Sequence, residues 1–192
     1  MINRNVNASE LELDGRELAA RLGVPYGTEK GAYRELYNEL IAVAKPAYAA
    51  TRVKLNREMG GITVGNATSQ STALMKLSEG SSSCLALVAT LGVGVDRLIL
   101  KVAQLSASRA FIIDAMADAL IEALCDLAER EICEGLETKP RFSPGYGDLE
   151  LSLGKELVAL SGADKTLGIR MTESGLMVPK KSVNALIIIK DE

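Results

Sequence analysis

Cys84-Leu-Ala-Leu-Val-Ala-Thr-Leu91-Gly92-Val-Gly94-Val-Asp96-Arg97 is the stretch whose reading decides the fold. Residues 84–91 carry no charge and read as a strand buried on both faces. Gly92-Val93-Gly94 ends it, and a helix follows from Asp96. The helical pattern continues to about Glu134, with an interruption expected near Ser106-Ala107-Ser108. Within it Ile113, Met116, Leu120, Leu124 and Leu127 advance by 3, 4, 4 and 3 residues, one apolar stripe on a helix.

Outward from this centre the elements become shorter. Residues 1–13 read as an extended N-terminal arm. Asp14 caps a short helix, with Glu17 reaching back to it, and the helix stops before Gly23. Gly23 to Gly27 turns around Pro25. Thr28 caps a second, longer helix with Leu36, Leu40, Ile41 and Val43 on one side. That helix is expected to kink at Pro46, resume to about Glu58 and stop at Gly60-Gly61. Ile62-Thr63-Val64 is a short strand, Ala67 to Leu77 a helix, and Glu79 to Ser83 a loop. Beyond Gly135, Pro140 to Asp148 is a Pro- and Gly-rich loop or linker. Leu153, Leu157 and Leu160 mark a helix ending at Gly162. Leu167–Thr172 and Asn184–Lys190 are strand candidates separated by a turn through Pro179. No repeat or boundary divides residues 1–192, so they form a single domain. Irregular alternation of strands and helices makes it α+β, with a mixed or antiparallel sheet and one long helix around 96–134.

Composition narrows the chemistry. The 192 residues include 22 Lys+Arg against 25 Asp+Glu, a net charge of −3 with both signs mixed. That balance offers no electrostatic footprint for nucleic acid or an acidic membrane. There is no histidine, which excludes a Ser-His-Asp or Cys-His pair and any His-ligated metal built within the chain. Aromatic residues are 4% and tryptophan is absent, against an aromatic stacking platform for bases. Cys84, Cys125 and Cys133 form no C-x-x-C pair and read as reduced, buried thiols in the cytoplasm. No apolar run approaches a membrane span, and the polar start has no signal-peptide core.

Four places can carry chemistry. Gly92-x-Gly94 lacks the third glycine of a dinucleotide site and reads first as a tight turn, with an anion at the helix N-terminus as the alternative. Asp114, Asp118, Glu122 and Asp126 recur at every fourth residue, where like charges repel by roughly 0.2–0.5 kcal/mol per pair. Only Asp126 has a base four positions on, Arg130. The row is either a solvated face or a set of acids awaiting a cation. Arg141-Phe142-Ser143-Pro144-Gly145-Tyr146 combines a carboxylate clamp, a turn permitting close approach and an aromatic hydroxyl. Met171-Thr172-Glu173-Ser174-Gly175 places a carboxylate at a strand end.

Three ordered blocks carry a resemblance. They are Ala115 to Ala123, Arg141-x-x-x-Gly145-Tyr146, and Ile169-Arg170-Met171-Thr172-Glu173-Ser174-x-x-Met177-x-Pro179 with Ser182-Val183. Together they cover about residues 110–186 and resemble the activation domain of cobalamin-dependent methionine synthase. Thr90-Leu91-Gly92 matches more loosely. The resemblance implies an activation-domain-like fold that binds S-adenosylmethionine. Arg141 would hold the methionyl carboxylate, and Ser143 would offer main-chain contacts. Gly145 would permit close approach, Tyr146 would line the pocket by the sulfonium methyl, and Glu122 would face the cationic end. Glu173 is matched without an assigned role.

It also implies cobalamin brought only by a partner, a corrinoid-dependent methionine synthase, and a flavodoxin-type electron donor. The chain would then be the reactivation component of a methyltransferase system, with no catalytic residue or metal of its own. Two departures stand out. Gly147-Asp148-Leu149-Glu150 replaces the family's Pro-Ala-Cys-Pro, and Leu176, Val178 and Leu186 stand where the family is aromatic. They support the alternative expectation of a non-catalytic docking or assembly subunit.

Overall fold

The computed structural model describes residues 1–27, 33–58 and 60–191. At its centre is β5 (Ser83–Thr90), all eight residues of which are buried. β2 (Ala47–Glu58) pairs with it antiparallel from Ala47↔Thr90 to Lys54↔Ser83. On the other side β8 (Ser182–Ile189) pairs antiparallel from Ser83↔Ile189 to Thr90↔Ser182. β1 (Ile2–Asn5) and β3 (Gly61–Val64) share the outer edge of β2, one on each half of its length. β4 (Ala67–Ser69) adds outside β3, and every strand pair described is antiparallel. The arm at the N-terminus is thus partly a strand on its own chain's sheet.

Side chains alternate across a strand, so β5 feeds two cores. Leu85, Leu87 and Ala89 pack with Ile187 and Ile189 under α1 (Gly15–Leu22), α2 (Arg34–Val43), α4 (Val93–Ala103) and α5 (Ala107–Ile132). Cys84 and Ala86 face the opposite way, towards Leu149, Leu153, Leu157 and Leu186. That second face is covered by α6 (Leu153–Ser161) and a short α7 (Ala163–Thr166), with α3 (Thr72–Leu77) beside β3. Burial on both faces explains why an antiparallel strand reads as an unbroken apolar run.

The helix expected around 96–134 is two helices. Gln104 and Leu105 leave the helical path, and Ser106 Oγ then accepts from Arg109 N at 3.3 Å to cap α5. The apolar stripe sits where it should, with Ile113, Leu120 and Leu124 fully buried and Met116 nearly so. Asp14 caps α1 through Arg16 N and Glu17 N, and Gly23 ends it in the left-handed region at φ 66°. Glu17, however, turns to Arg21 at 2.7 Å rather than back to the cap. The Thr28 cap lies outside the described residues.

Three expectations are corrected. Residues 47–58 are a twelve-residue strand, not a resumed helix. Thr51, Val53 and Leu55 alternate with exposed Arg52, Lys54 and Asn56, a period of two hidden behind the helix-forming alanines of 47–50. Residues 67–69 extend the sheet and only Thr72–Leu77 is helical. The strand expected over 167–172 shrinks to β6 (Arg170–Met171), a two-residue partner of β7 (Met177–Val178) in a separate hairpin. No helix among the described residues is long and apolar enough to cross a membrane.

Candidate functional site

The acidic row of α5 meets two basic side chains from distant parts of the chain. Arg141 Nη1 reaches Asp126 at 2.8 Å and Glu129 at 3.1 Å, and its Nη2 reaches Glu122 at 3.2 Å. Lys181 Nζ contacts Asp114 at 2.9 Å and Asp118 at 2.5 Å. Arg21 adds a longer contact to Asp118 at 3.6 Å. Burial opposes the Arg141 charge, yet neighbouring Cys125, Asp126 and Glu129 hold its pKa above the ordinary value. The row is therefore neither a free solvated face nor a set of unmet acids.

Backbone pairing delivers Arg141 to that helix. Phe142 N donates to Leu186 O at 2.9 Å and Phe142 O accepts in return from Leu186 N at 2.8 Å, while Lys139 N donates to Ile188 O. The loop thereby runs along the free edge of β8. Phe142 packs with Leu186 in the second core, and Arg141, its extended neighbour, lies on the α5 side.

Between α5, this loop and the segment 175–184 opens a cavity of about 780 Å³. Glu122, Arg141, Ser143 and Tyr146 line it, together with apolar Leu151, Leu176 and Met177 and polar Lys180 and Asn184. Its volume falls within the roughly 300–1,000 Å³ of small-molecule sites. Tyr146 stands at the mouth, 68% exposed. A smaller space of about 230 Å³ adjoins it and shares Glu122, Tyr146 and Lys180.

The two remaining sequence candidates do not line the cavity. Gly145 sits behind the loop at φ 94°, and a Cβ there would lie 2.9 Å from Leu151 Cδ2. It shapes the turn rather than the wall. Glu173 is exposed at the tip of the β6–β7 hairpin, which Thr172 closes by donating N–H to Leu176 O and accepting from Leu176 N at its hydroxyl. Gly175, Leu176 and Met177 of that hairpin reach the cavity instead. Lys180, Leu151 and Asn184 escaped the sequence reading, although Met177 and Ser182 lay inside the matched block.

The segment that replaces Pro-Ala-Cys-Pro is an anchor. Asp148 accepts from Ser71 Oγ at 2.5 Å, Thr72 Oγ1 at 2.6 Å, Thr72 N at 2.7 Å and Ala73 N at 3.2 Å. Glu150 accepts from Ser69 Oγ at 2.6 Å. The hydroxyls of Ser71 and Thr72 hold the Asp148 carboxyl far below its usual range, and Ser69 lowers Glu150. Both groups bind protons more weakly folded than unfolded, so their contribution is present above about pH 4 and lost as pH falls below it. Urea midpoints measured from pH 6 to pH 3 are expected to fall, and Asp148→Asn to flatten that slope. An unchanged slope in Asp148→Asn would mean the anchor does not hold the loop.

Burial pushes the Cys84 and Cys125 thiols up to about 12 and also raises Cys133. The Gly92-x-Gly94 turn is filled by protein, since a Cβ on Gly94 would stand 2.4 Å from Val43 O.

No protein-family model matches the chain, and no curated protein matches it in sequence. Among solved structures, a crystal structure of the MetH reactivation domain bound to AdoHcy is similar at a TM-score of 0.71 and 17% identity. The superposition covers 97% of this chain and 77% of that one. At such identity the likeness speaks for the backbone fold alone. The chain thus has an α+β fold like that of the MetH reactivation domain.

Proposed function

We propose that the chain binds S-adenosylmethionine in the cavity beside α5 and supports reductive methylation of cob(II)alamin on a separate corrinoid methionine synthase. The observation that carries this reading is convergence. Glu122, Arg141, Ser143 and Tyr146, matched to the activation domain by sequence, line one cavity in a fold like that of a domain solved with AdoHcy.

The residues present fit such a ligand. Leu151, Leu176 and Met177 offer apolar walls for an aromatic base, and Glu122 faces the space with a carboxylate for a sulfonium or ammonium. Tyr146 at the mouth shields the methyl end while leaving it open to an approaching partner. The bound ligand supplies the methyl group, and the corrinoid comes from the partner, with the electron from a flavodoxin-type donor. The apolar side chains of Tyr146, Leu151 and Leu176 that line the cavity are exposed, which suits a site closed by another protein. The protein would act in the cytoplasm.

Calorimetric titration of S-adenosylmethionine, alone and with a cobalamin-loaded methionine synthase fragment, tests the reading. Binding is expected, and Glu122→Gln is expected to weaken it about tenfold, the worth of one charge-assisted contact. Absence of binding in both arms would overturn the ligand reading and favour the docking-subunit alternative.

A further inference from the structure

The loop that walls one side of the cavity is gripped at both ends by the same short helix. Phe142, Ser143, Pro144 and Tyr146 line the cavity, and they lie between Lys139 and Asp148. Lys139 Nζ donates to Leu77 O at 2.6 Å and to Glu79 O at 2.9 Å, at and just past the C-terminal end of α3. Asp148 accepts from Thr72 N at 2.7 Å and Ala73 N at 3.2 Å, at the other end. A helix leaves its first amides and last carbonyls without partners of its own. Here a cation, which only donates, and a carboxylate, which only accepts, meet them from a single loop.

The loop has little else to hold its tip. Pairing with β8 fixes its start, through Lys139 N and Phe142, and Leu149 is buried in the second core at its end. Gly145 N donates to Leu149 O and Tyr146 N to Ser143 O, both inside the loop. Among the described residues, none of 143–147 hydrogen-bonds to the rest of the protein, and Gly145, Tyr146 and Gly147 are exposed.

We propose that Lys139 and Asp148 are positioning residues, a two-point clasp on α3 that sets the shape of the loop and, through it, the affinity for ligand. The proposal rests on the S-adenosylmethionine reading above, and neither residue lines the cavity. Lys139 ties the β8 end of the loop to α3, since its main chain pairs with Ile188 while its ammonium reaches Leu77. Asp148 returns the other end to the same helix. Arg57 provides a comparison within the fold. Its Nη2 donates to Met75 O at 2.8 Å, so it too holds the C-terminal part of α3, but it comes from β2 and not from the loop. Its loss loosens α3 without opening the clasp.

Amide exchange at Gly145 and Tyr146 is followed in the unliganded chain, and S-adenosylmethionine is titrated by calorimetry. Both are done for the wild type, Lys139→Met, Lys139→Arg, Asp148→Asn and Arg57→Met. Lys139→Met and Asp148→Asn are each expected to speed exchange about tenfold, as loss of hydrogen bonds to a charged group implies. Affinity is expected to fall less, about threefold, because it drops only by the fraction of chains whose loop stands open. Lys139→Arg is expected to restore both, since a guanidinium can donate to two carbonyls. Arg57→Met is expected to leave both at the wild-type value. Wild-type exchange in Lys139→Met and Asp148→Asn overturns the clasp. Equal acceleration in Arg57→Met also overturns it, by tracing the effect to α3 itself. Faster exchange with unchanged affinity overturns the link from clasp to ligand. A wild-type chain that binds no S-adenosylmethionine overturns the ligand reading, and the exchange rates then decide the clasp on their own.

Discussion

Arg141→Met is expected to cost about 2–3 kcal/mol of folding stability. Breaking a fully buried ion pair costs roughly 3–5 kcal/mol because a charge is left uncompensated. Here the Arg141 side chain is 20% exposed and Asp126 opposite it is 60% exposed, so water recovers part of that loss. What remains is a helix face carrying Glu122, Asp126 and Glu129 at successive turns with no cation between them. Their repulsion acts along α5, which supports the main core. The measurement is urea unfolding at pH 7, with a shifted midpoint and an unchanged slope. Raising the salt to about 1 M should shrink the difference, since screening then reaches within roughly 3 Å. Adding Glu129→Gln to the methionine variant should restore part of the stability. A midpoint that does not move would mean that the three contacts to Arg141 contribute nothing to the fold.

Gly94→Ala is expected to destabilise by about 2 kcal/mol through crowding rather than through ligand loss. Its Cβ would come within 2.4 Å of Val43 O, and the obstacle is backbone, which cannot rotate away. The residue two places earlier is less tightly confined, with Lys45 Cβ 3.3 Å from where a side chain on Gly92 would begin. Relief requires α4 to move away from the end of α2, and Val95, fully buried in the first turn of α4, moves with it. Thermal unfolding reads the cost. Ligand affinity of the folded variant should stay at the wild-type value, because the turn lies against protein and not against the cavity. Lost affinity in a variant of normal stability would reverse that assignment and return the turn to the candidates for ligand contact.

Legibility in the sequence followed the length and purity of each pattern. The stripe from Ile113 to Leu127 spans four turns and lies where its spacing predicts. The run from Cys84 to Leu91 was readable because every position is apolar or small. The strand at 47–58 was not, since Ala47, Ala49 and Ala50 favour helix in isolation and only pairing with β1 and β5 commits them to a sheet. β6 and β7, at two residues each, are below any periodicity.

The site divides in the same way. Glu122, Arg141, Ser143 and Tyr146 stood out through a resemblance, and their meeting in one cavity is a property of the fold. Lys181 and Arg141 as partners of the α5 acids were illegible, because the contacts span 67 and 15 residues in the chain. Asp148 looked like a departure from a pattern. Its partners, Ser71 and Thr72, lie more than seventy residues away, so its anchoring role showed only in three dimensions.

The register of β8 on β5 sets an order of events during synthesis. Ser83 pairs with Ile189, so the central strand waits for about a hundred further residues before its second edge is covered. Until then β5 presents a row of unpaired backbone groups flanked by uncharged side chains, the kind of edge that recruits other chains. Phe142 and Lys139 bind to β8 rather than to β5, so the Arg141 loop has no template until β8 itself has docked. A nascent chain stalled before residue 182 would hold the long helix and every strand of the main sheet except β8, yet lack the wall that Ser182, Val183 and Asn184 give the cavity. Chaperone capture at this stage would protect the same strand edge that later becomes the middle of the protein.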